Sequence, residues 1–395
     1  KAAARKWNPS MKRPCDRWAV VTTINDPTDA VFRVINHMPM WCLAVVGDLN
    51  GPKDYPIELS DRVMYLDVDA QRKIEEDNEF AQALPWRHFG RKNIGYFYAI
   101  REGAKIVFDF DDDNVVYTSD ESTGQIQTRL DEFLAPKAME TMEYIANSSL
   151  AINPMYAMGC RSDRCWPRGF PLTDIKEPAP NRAHAVKDFR RRKEPLQWSR
   201  VGVIQSLADV DPDVDAVYRM TQELPMDFPR QLPLLIPHGA LSPYNAQASL
   251  HFEKALWGML IPVSVHPRVA DIWRGYTVTR LMWDVDLFLG FSEPLVIQER
   301  NGHNYLADLN AEDDLYQKGS QLLSYLAEWK STSEWLPGRI EDLWIGLYER
   351  DFIKKSDVTL VQKWIQALLV HSLKYIEKLF SSGSQKMFYR RSTLK

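Results

Sequence analysis

Residues 91–113 read RKNIGYFYAIREGAKIVFDFDDD, and the fold class follows from this stretch. Asn93 to Gly103 carries apolar residues at helical spacing and closes on a glycine able to cap a helix. Lys105 to Phe110 (KIVFDF) is then an apolar strand that runs directly into Asp111-Asp112-Asp113-Asn114. The preceding residues repeat the alternation. Arg17 to Ile24 (RWAVVTTI) reads as a buried strand ending in the turn chemistry of Asn25-Asp26-Pro27, and Asp29 to Asn36 as a helix. Trp41 to Val46, stopped by Gly47-Asp48, and Arg62 to Leu66 are two more strands. Strands separated by helices predict an α/β protein, a Rossmann-like and mostly parallel sheet flanked by helices, with its ligand at the carboxyl ends of the strands.

Composition narrows the classes. The chain has 395 residues, and its 49 Lys+Arg against 53 Asp+Glu leave a net charge of -4, so nothing marks it for nucleic acid. No run of 18 apolar residues occurs; Ala255 to Val265 is broken by Gly258 and Pro262 and suits a buried core element. The 13 Trp offer flat faces for sugar rings, although core packing is the commoner duty. The chain starts Lys-Ala-Ala-Ala-Arg-Lys without Met, which predicts a piece of a longer protein with any signal or anchor upstream. Cys15, Cys42, Cys160 and Cys165 make no zinc spacing; Cys160 and Cys165 either pair across a short loop in an oxidising compartment or remain buried thiols. Asn147-Ser148-Ser149 is a formal glycosylation sequon.

Beyond the sheet pattern, residues 153–181 read as a long ordered loop rich in proline, followed by a basic run at Lys187 to Lys193. Ala311 to Phe380 turns helical. The expected organisation is a sheet domain over 17–305, a helical C-terminal region over 306–380 and a polar, disordered tail over 381–395.

The strand-end acids carry the chemistry. Three adjacent carboxylates repel one another unless a cation or donors offset the charge. Asp111 and Asp113, one residue apart in extended backbone, point the same way and can share an ion. Hard oxygen ligands suit Mn²⁺ or Mg²⁺, which hold a diphosphate and stabilise its charge as it leaves. That is the chemistry of a nucleotide-sugar transferase; an acidic turn without an ion is the alternative.

Several motifs, in order, resemble the STELLO family: Arg91 to Asp113; Asn153-Pro154 with Trp166 to Leu172 (WPRGFPL); Pro212-Asp213-Val214-Asp215; and Phe252 to Val265 with Arg274-Gly275-Tyr276 and Arg280 to Trp283 (RLMW). The resemblance runs from about Trp18 to about Trp344. It implies a GT-A-like fold, Golgi glycosyltransferase activity with a UDP-sugar donor and a glycan acceptor, glycan-synthase partners, and a soluble domain in the Golgi lumen on a type II membrane protein anchored outside this chain. A fainter similarity is to the reversibly glycosylated polypeptides, which are UDP-arabinopyranose mutases.

The resemblance assigns roles. Thr22, Thr23 and Asn25 end the first strand, where GT-A folds place the nucleotide, or cap the next turn. Arg91, Lys92 and Asn93 open the helix before the acidic strand and would favour a diphosphate, or are solvated charge. Asp111 and Asp112 join the nucleotide-sugar set, and a late His303 would complete the metal shell of Asp111 and Asp113. Arg168 would bind phosphate or donor sugar beside a stacking face on Trp166, or Trp166 is core; in the mutases the matching arginine is tied to self-glycosylation. Asp213 and Asp215 contact the acceptor or act as base, or form a solvated acidic loop. Asp271 stands where these transferases often carry a catalytic carboxylate, or pairs with Arg274 one helical turn on. A sugar-nucleotide mutase and a non-catalytic scaffold of a glycan synthase are the competing functions.

Overall fold

The computed structural model describes residues 15–371 except 59, 120–126, 136–137, 145–149, 161–163, 176–188, 301 and 303. The sequon at Asn147, the tail over 381–395 and His303 therefore lie outside the described residues, as do Lys187 and Asp188 of the basic run.

Among the described residues, eleven strands form a single sheet: β1 (Arg17–Thr22), β2 (Cys42–Val46), β3 (Val63–Leu66), β4 (Ile106–Asp109), β5 (Asn114–Val116), β6 (Met142–Tyr144), β7 (Phe189–Arg191), β8 (Val201–Val210), β9 (Leu234–Leu235), β10 (Ser249–Phe252) and β11 (Phe288–Gln298). Their order is β3-β2-β1-β4-β10-β8-β11-β9-β6-β7, with β5 pairing β11. The first four strands are parallel, as the alternating pattern predicts. The remainder departs from it: β10 runs antiparallel to both β4 and β8, while β8 and β11 are parallel to each other. The sheet is thus mixed and largely parallel.

Successive strand residues point to opposite faces, so β1 divides its apolar side chains between two cores. Trp18 and Val20 join one, and Ala19 and Val21 the other. The helix Lys92–Arg101 covers the first face and is buried on every side from Lys92 to Ile100. It ends as its sequence predicts, with Gly103 at φ +93° in the left-handed region that glycine adopts freely. The helix Pro267–Asp284 is buried without a break from Val269 to Met282. It lies so close to the loop before β10 that a Cβ on Gly275 would sit 2.2 Å from the carbonyl oxygen of Tyr244.

Four helices follow the sheet: Tyr305–Ala311, Asp313–Glu328, Leu336–Glu349 and Lys355–His371. The apolar faces of the last three enter the same core as the sheet. Trp364 packs on Phe80 at 5.0 Å between ring centroids and donates its indole N–H to the carbonyl of Trp257 at 2.8 Å. The proline-rich segment holds a short helix, Pro154–Ala157, and a 3-10 turn, Leu172–Asp174. Trp257, Trp273 and Trp344 are buried and Trp283 is half-buried against the core. All four cysteines are bonded, Cys15 to Cys42 and Cys160 to Cys165; spacing alone had suggested only the second pair. No helix among the described residues is long and apolar enough to cross a membrane.

Candidate functional site

The register places Asp109 of β4, Ser249 of β10 and Gln205 of β8 in one row across the sheet. Beyond that row lie the carboxyl ends of β4 and β8, and Gln298 of β11 pairs with Val210 at the same edge. The residues that follow these strands share one rim, in the crevice where open α/β sheets bind ligands.

Asp111, Asp112 and Asp113 lie on that rim and face different partners. Asp112 is held by the loop after β1: Thr23 Oγ1 donates to its Oδ2, Asn25 Nδ2 donates to the same oxygen at 3.0 Å, and Thr28 Oγ1 donates to its carbonyl. Thr22 turns away and donates to the carbonyl of Val46 at 3.1 Å. Asp111 accepts the Lys92 ammonium on Oδ1 at 2.8 Å and has no hydrogen-bond donor on Oδ2 among the described residues. Asp113 accepts Gln298 Nε2 at 3.2 Å and Asn114 Nδ2 at 3.3 Å. Burial pushes the Asp111 carboxyl up to about 7; the Lys92 charge opposes the rise and the Asp113 charge adds to it. Burial also raises Asp113, against the Gln298 hydrogen bond and with the charge of Asp112. With 31% of its side chain accessible, Asp111 can still be reached from the cleft.

The cations beside this rim are interior groups. Lys92 is fully buried, with its ammonium 2.7 Å from Asp109 and donating to the carbonyls of Phe110 and Ala246 at 2.8 and 2.7 Å. Its four partners occupy it, so it acts on the rim as a fixed charge beneath Asp111 and is not a free diphosphate ligand. Arg91 points the other way, into Gln71, Glu75 and the carbonyl of Leu84, with its guanidinium 3.7 Å from the centroid of the Trp86 ring. Asn93 is closed in a reciprocal pair with the backbone of Ile261, both bonds at 2.8 Å. None of the three is the solvated charge that the helix start also allowed.

Arg168 is the second focus. Buried between two carboxylates, it meets Asp213 through Nε at 2.9 and 3.0 Å and Asp271 in a two-pronged contact at 3.0 and 2.8 Å. It also donates to the carbonyl of Arg268. Although burial alone would raise it, the Arg168 charge holds the Asp213 carboxyl well below the usual carboxylate range. Asp271 further accepts the backbone N–H groups of Ala246 and Ile272 at 3.2 and 3.0 Å. In this geometry Asp213 and Asp271 are counter-ions, and neither has a free oxygen placed to take a proton from an acceptor. Arg274, which the sequence offered as the partner of Asp271, pairs with Asp109 at 3.0 Å instead.

Trp166 is buried at 4% exposure, edge-on to Tyr218 at 4.9 Å, so its face is core and is not presented to a sugar. Its indole N–H donates to Asp215 Oδ2 at 2.8 Å, while Asp215 Oδ1 caps the helix Ala216–Thr221 by accepting from Tyr218 N. Burial raises the Asp215 carboxyl to about 6. Asp213 and Asp215 thus serve separate structures.

Between the two foci runs a chain of amides that the motif reading missed. Gln298 bonds Asp113 and exchanges hydrogen bonds with Gln247 at 2.7 and 3.4 Å. Gln247 N–H donates to Asn245 Oδ1, and Asn245 Nδ2 donates to Asp213. A pocket lined by Met155, Arg168, Gln205, Asp213, Tyr244 and Gln247 opens along this chain. Arg300, just past β11, was also missed; it is one of 49 Lys+Arg, with no local signal to distinguish it.

Among the described residues, no group of three or more His, Cys, Asp and Glu side chains is arranged to enclose a metal ion. Of the three rim carboxylates, Asp112 is held by Thr23 and Asn25, which leaves Asp111 and Asp113.

Comparison with known proteins supports the resemblance read from the motifs. Residues 268–392 match the family model for STELLO glycosyltransferases. The chain is 28% identical over 371 residues to the probable glycosyltransferase STELLO2 of Arabidopsis thaliana, and 26% identical over 375 residues to the probable glycosyltransferase STELLO1 of the same plant. Each alignment covers 92% of this chain and 46% of the relative, so the chain spans about half the length of the curated relatives it matches.

Proposed function

We propose that this chain, a member of the STELLO glycosyltransferase family, forms a GT-A-like domain that moves a sugar from a UDP-sugar donor to a glycan acceptor with the help of Mn²⁺ or Mg²⁺. The observation that carries the reading is the pair Asp111 and Asp113, which the structure sets in a turn between β4 and β5 and not in the extended backbone that their spacing predicts. Both carboxyls are raised by burial, and neither the Lys92 ammonium beside Asp111 nor the Arg300 charge acting on Asp113 cancels the rise. Such a pair fits a divalent cation. Mg²⁺ usually sits on one or two carboxylates with substrate phosphates and water completing its shell, so a full protein cage is not required. When bound, the ion would neutralise the nucleoside diphosphate as the glycosidic bond to it breaks.

The chain's own residues supply the rest. Lys92 fixes Asp111, and the Thr23 and Asn25 contacts to Asp112 anchor the loop after β1, which holds the nucleotide side of the cleft in place. The amide chain from Gln298 to Asn245 orients Asp113 and Asp213 before any substrate arrives. Preorganisation of this kind spares reorganisation during reaction.

The mutase alternative draws no support from Arg168. A guanidinium at 6% exposure, bonded on every edge, is not positioned to receive a sugar. Two disulfides fit an oxidising compartment, in keeping with a Golgi lumenal domain whose membrane anchor lies outside this chain.

The test replaces Asp111 and Asp113, singly, with Asn and measures Mn²⁺-dependent UDP binding by calorimetry, alongside turnover of a panel of UDP-sugars. Loss of both is expected. Unchanged UDP affinity in both variants would sink the reading, and an absence of turnover with binding intact would favour a scaffold.

A further inference from the structure

The enclosed arginines around the cleft can be accounted for by partner. Arg168 meets Asp213 and Asp271, Arg219 meets Asp211 at 2.7 Å, Arg268 meets Glu312, and Arg274 meets Asp109. Arg300 is the exception. It makes no ion pair among the described residues, and its Nη1 is inaccessible to solvent and without a hydrogen-bond partner.

Its position is defined by the strand it follows. Gln298, the last residue of β11, bonds the Asp113 carboxylate, and the N–H of Glu299 donates to the Asp113 carbonyl at 3.2 Å. Arg300 therefore leaves the sheet beside the acidic rim. The charges that act on it are those of Arg219, Arg268 and Arg168, opposed by Asp213, and its own charge acts in turn on Asp113. Asp213 is already committed to Arg168. Burial first, and then these like charges, lower the Arg300 guanidinium from its ordinary range.

A donor shut away from solvent and left unmade on a permanent cation is costly. A ligand that fills it during function is one physical reason for such a group to persist. The planar guanidinium fork matches phosphate oxygens better than any other side chain does, and it cannot shed its charge. The surrounding positive field favours a ligand with more than one negative charge.

We infer that Arg300 is the anion-receiving residue of the cleft and binds the phosphates of a nucleoside diphosphate opposite the Asp113 side of the rim. The identity of the nucleotide rests on the proposed function, whereas the phosphate chemistry stands on Arg300 itself.

The experiment titrates the whole chain and Arg300→Gln with sodium pyrophosphate, UDP and uridine by calorimetry and follows melting without ligand. Arg300→Gln should bind pyrophosphate and UDP at least tenfold more weakly and uridine as before, and it should melt no lower than the parent because no partner is lost. Equal pyrophosphate affinity in the two proteins would overturn the inference. A parallel loss of uridine binding, or a lower melting temperature, would also overturn it by assigning Arg300 to the fold. If Arg300→Gln does not fold, Arg300→Lys keeps the charge without the fork, and unweakened pyrophosphate binding there refutes the inference. Pyrophosphate binding that depends on Arg300, in a protein that turns over no sugar nucleotide, would sustain the inference and remove the glycosyltransferase reading. A parent chain that binds neither pyrophosphate nor UDP would remove the inference.

Discussion

Replacing Arg168 with Met tests whether Asp213 and Asp271 are structural counter-ions or working acids. The guanidinium sits 2.8 Å from an oxygen of each, and all three side chains are at most 8% exposed. A pair of unit charges about 4 Å apart at an effective dielectric near 20 interacts by about 4 kcal/mol, and desolvation consumes much of that in forming the pair. Removing one partner leaves the desolvation uncompensated, so the expected loss is about 3–5 kcal/mol near neutral pH. The pH dependence supplies a sign. In the parent, the depressed Asp213 contributes stability above the unfolded carboxylate value, and that contribution is lost as pH falls through the lower folded value. Without Arg168, burial dominates and raises the folded value, so the native state binds the extra proton and the variant gains stability on acidification. Urea unfolding at about pH 7.5 and about pH 5 should therefore show a deficit that narrows at the lower pH, and Arg168→Met with Asp213→Asn and Asp271→Asn should recover most of it. A deficit under about 1 kcal/mol that does not change with pH would refute the ion-pair reasoning.

Three further outcomes follow from local geometry. Trp166→Phe removes the 2.8 Å donor to Asp215 and should cost about 1–3 kcal/mol in urea unfolding while leaving UDP affinity unchanged. Because the Asp215 carboxyl already lies at about 6, that cost should be largest at neutral pH and shrink as the group is protonated. Cys15→Ser with Cys42→Ser opens a separation of 27 residues and should cost about 3.5 kcal/mol, against about 2 kcal/mol for Cys160→Ser with Cys165→Ser across a separation of 5, on the loop-entropy model. Gly275→Ala drives a methyl to 2.2 Å from the Tyr244 carbonyl and should cost about 1–3 kcal/mol by displacing the helix that carries Asp271 and Arg274, measured as a fall in the denaturation midpoint.

The parts of the fold that were legible are those with local causes. The first strands and the helix ending at Gly103 are marked by apolar runs and by Gly, Asn and Asp stops, and they occur within about two residues of the reading. The antiparallel insertion of β10 was not legible, because pairing order depends on contacts between residues more than a hundred positions apart. The same distinction runs through the site. The acidic rim was read from three adjacent letters, whereas the duties of Arg91 and Lys92 were decided by Gln71, Glu75 and Ala246, none of which shares their motif, and by Asp109 at the far end of it. Trp166 was misplaced for a related reason: its indole is claimed by Asp215, forty-nine residues on. Gln247 and Gln298 carried no signal, since a glutamine becomes part of a site only through its neighbours.

The seam at β10 also bears on how the chain reaches its fold. β4 has β1 on one side, but its other edge is closed only by Ser249–Phe252, which is made some 140 residues later. During synthesis the nascent protein therefore carries an open, apolar strand edge through the completion of β5, β6, β7, β8 and β9, and such edges are templates for mispairing with other chains. β8 waits for the same segment on one edge and for β11, later still, on the other. Fragments that stop short of Phe252 leave that edge of β4 without its partner strand and are expected to aggregate more than the whole chain.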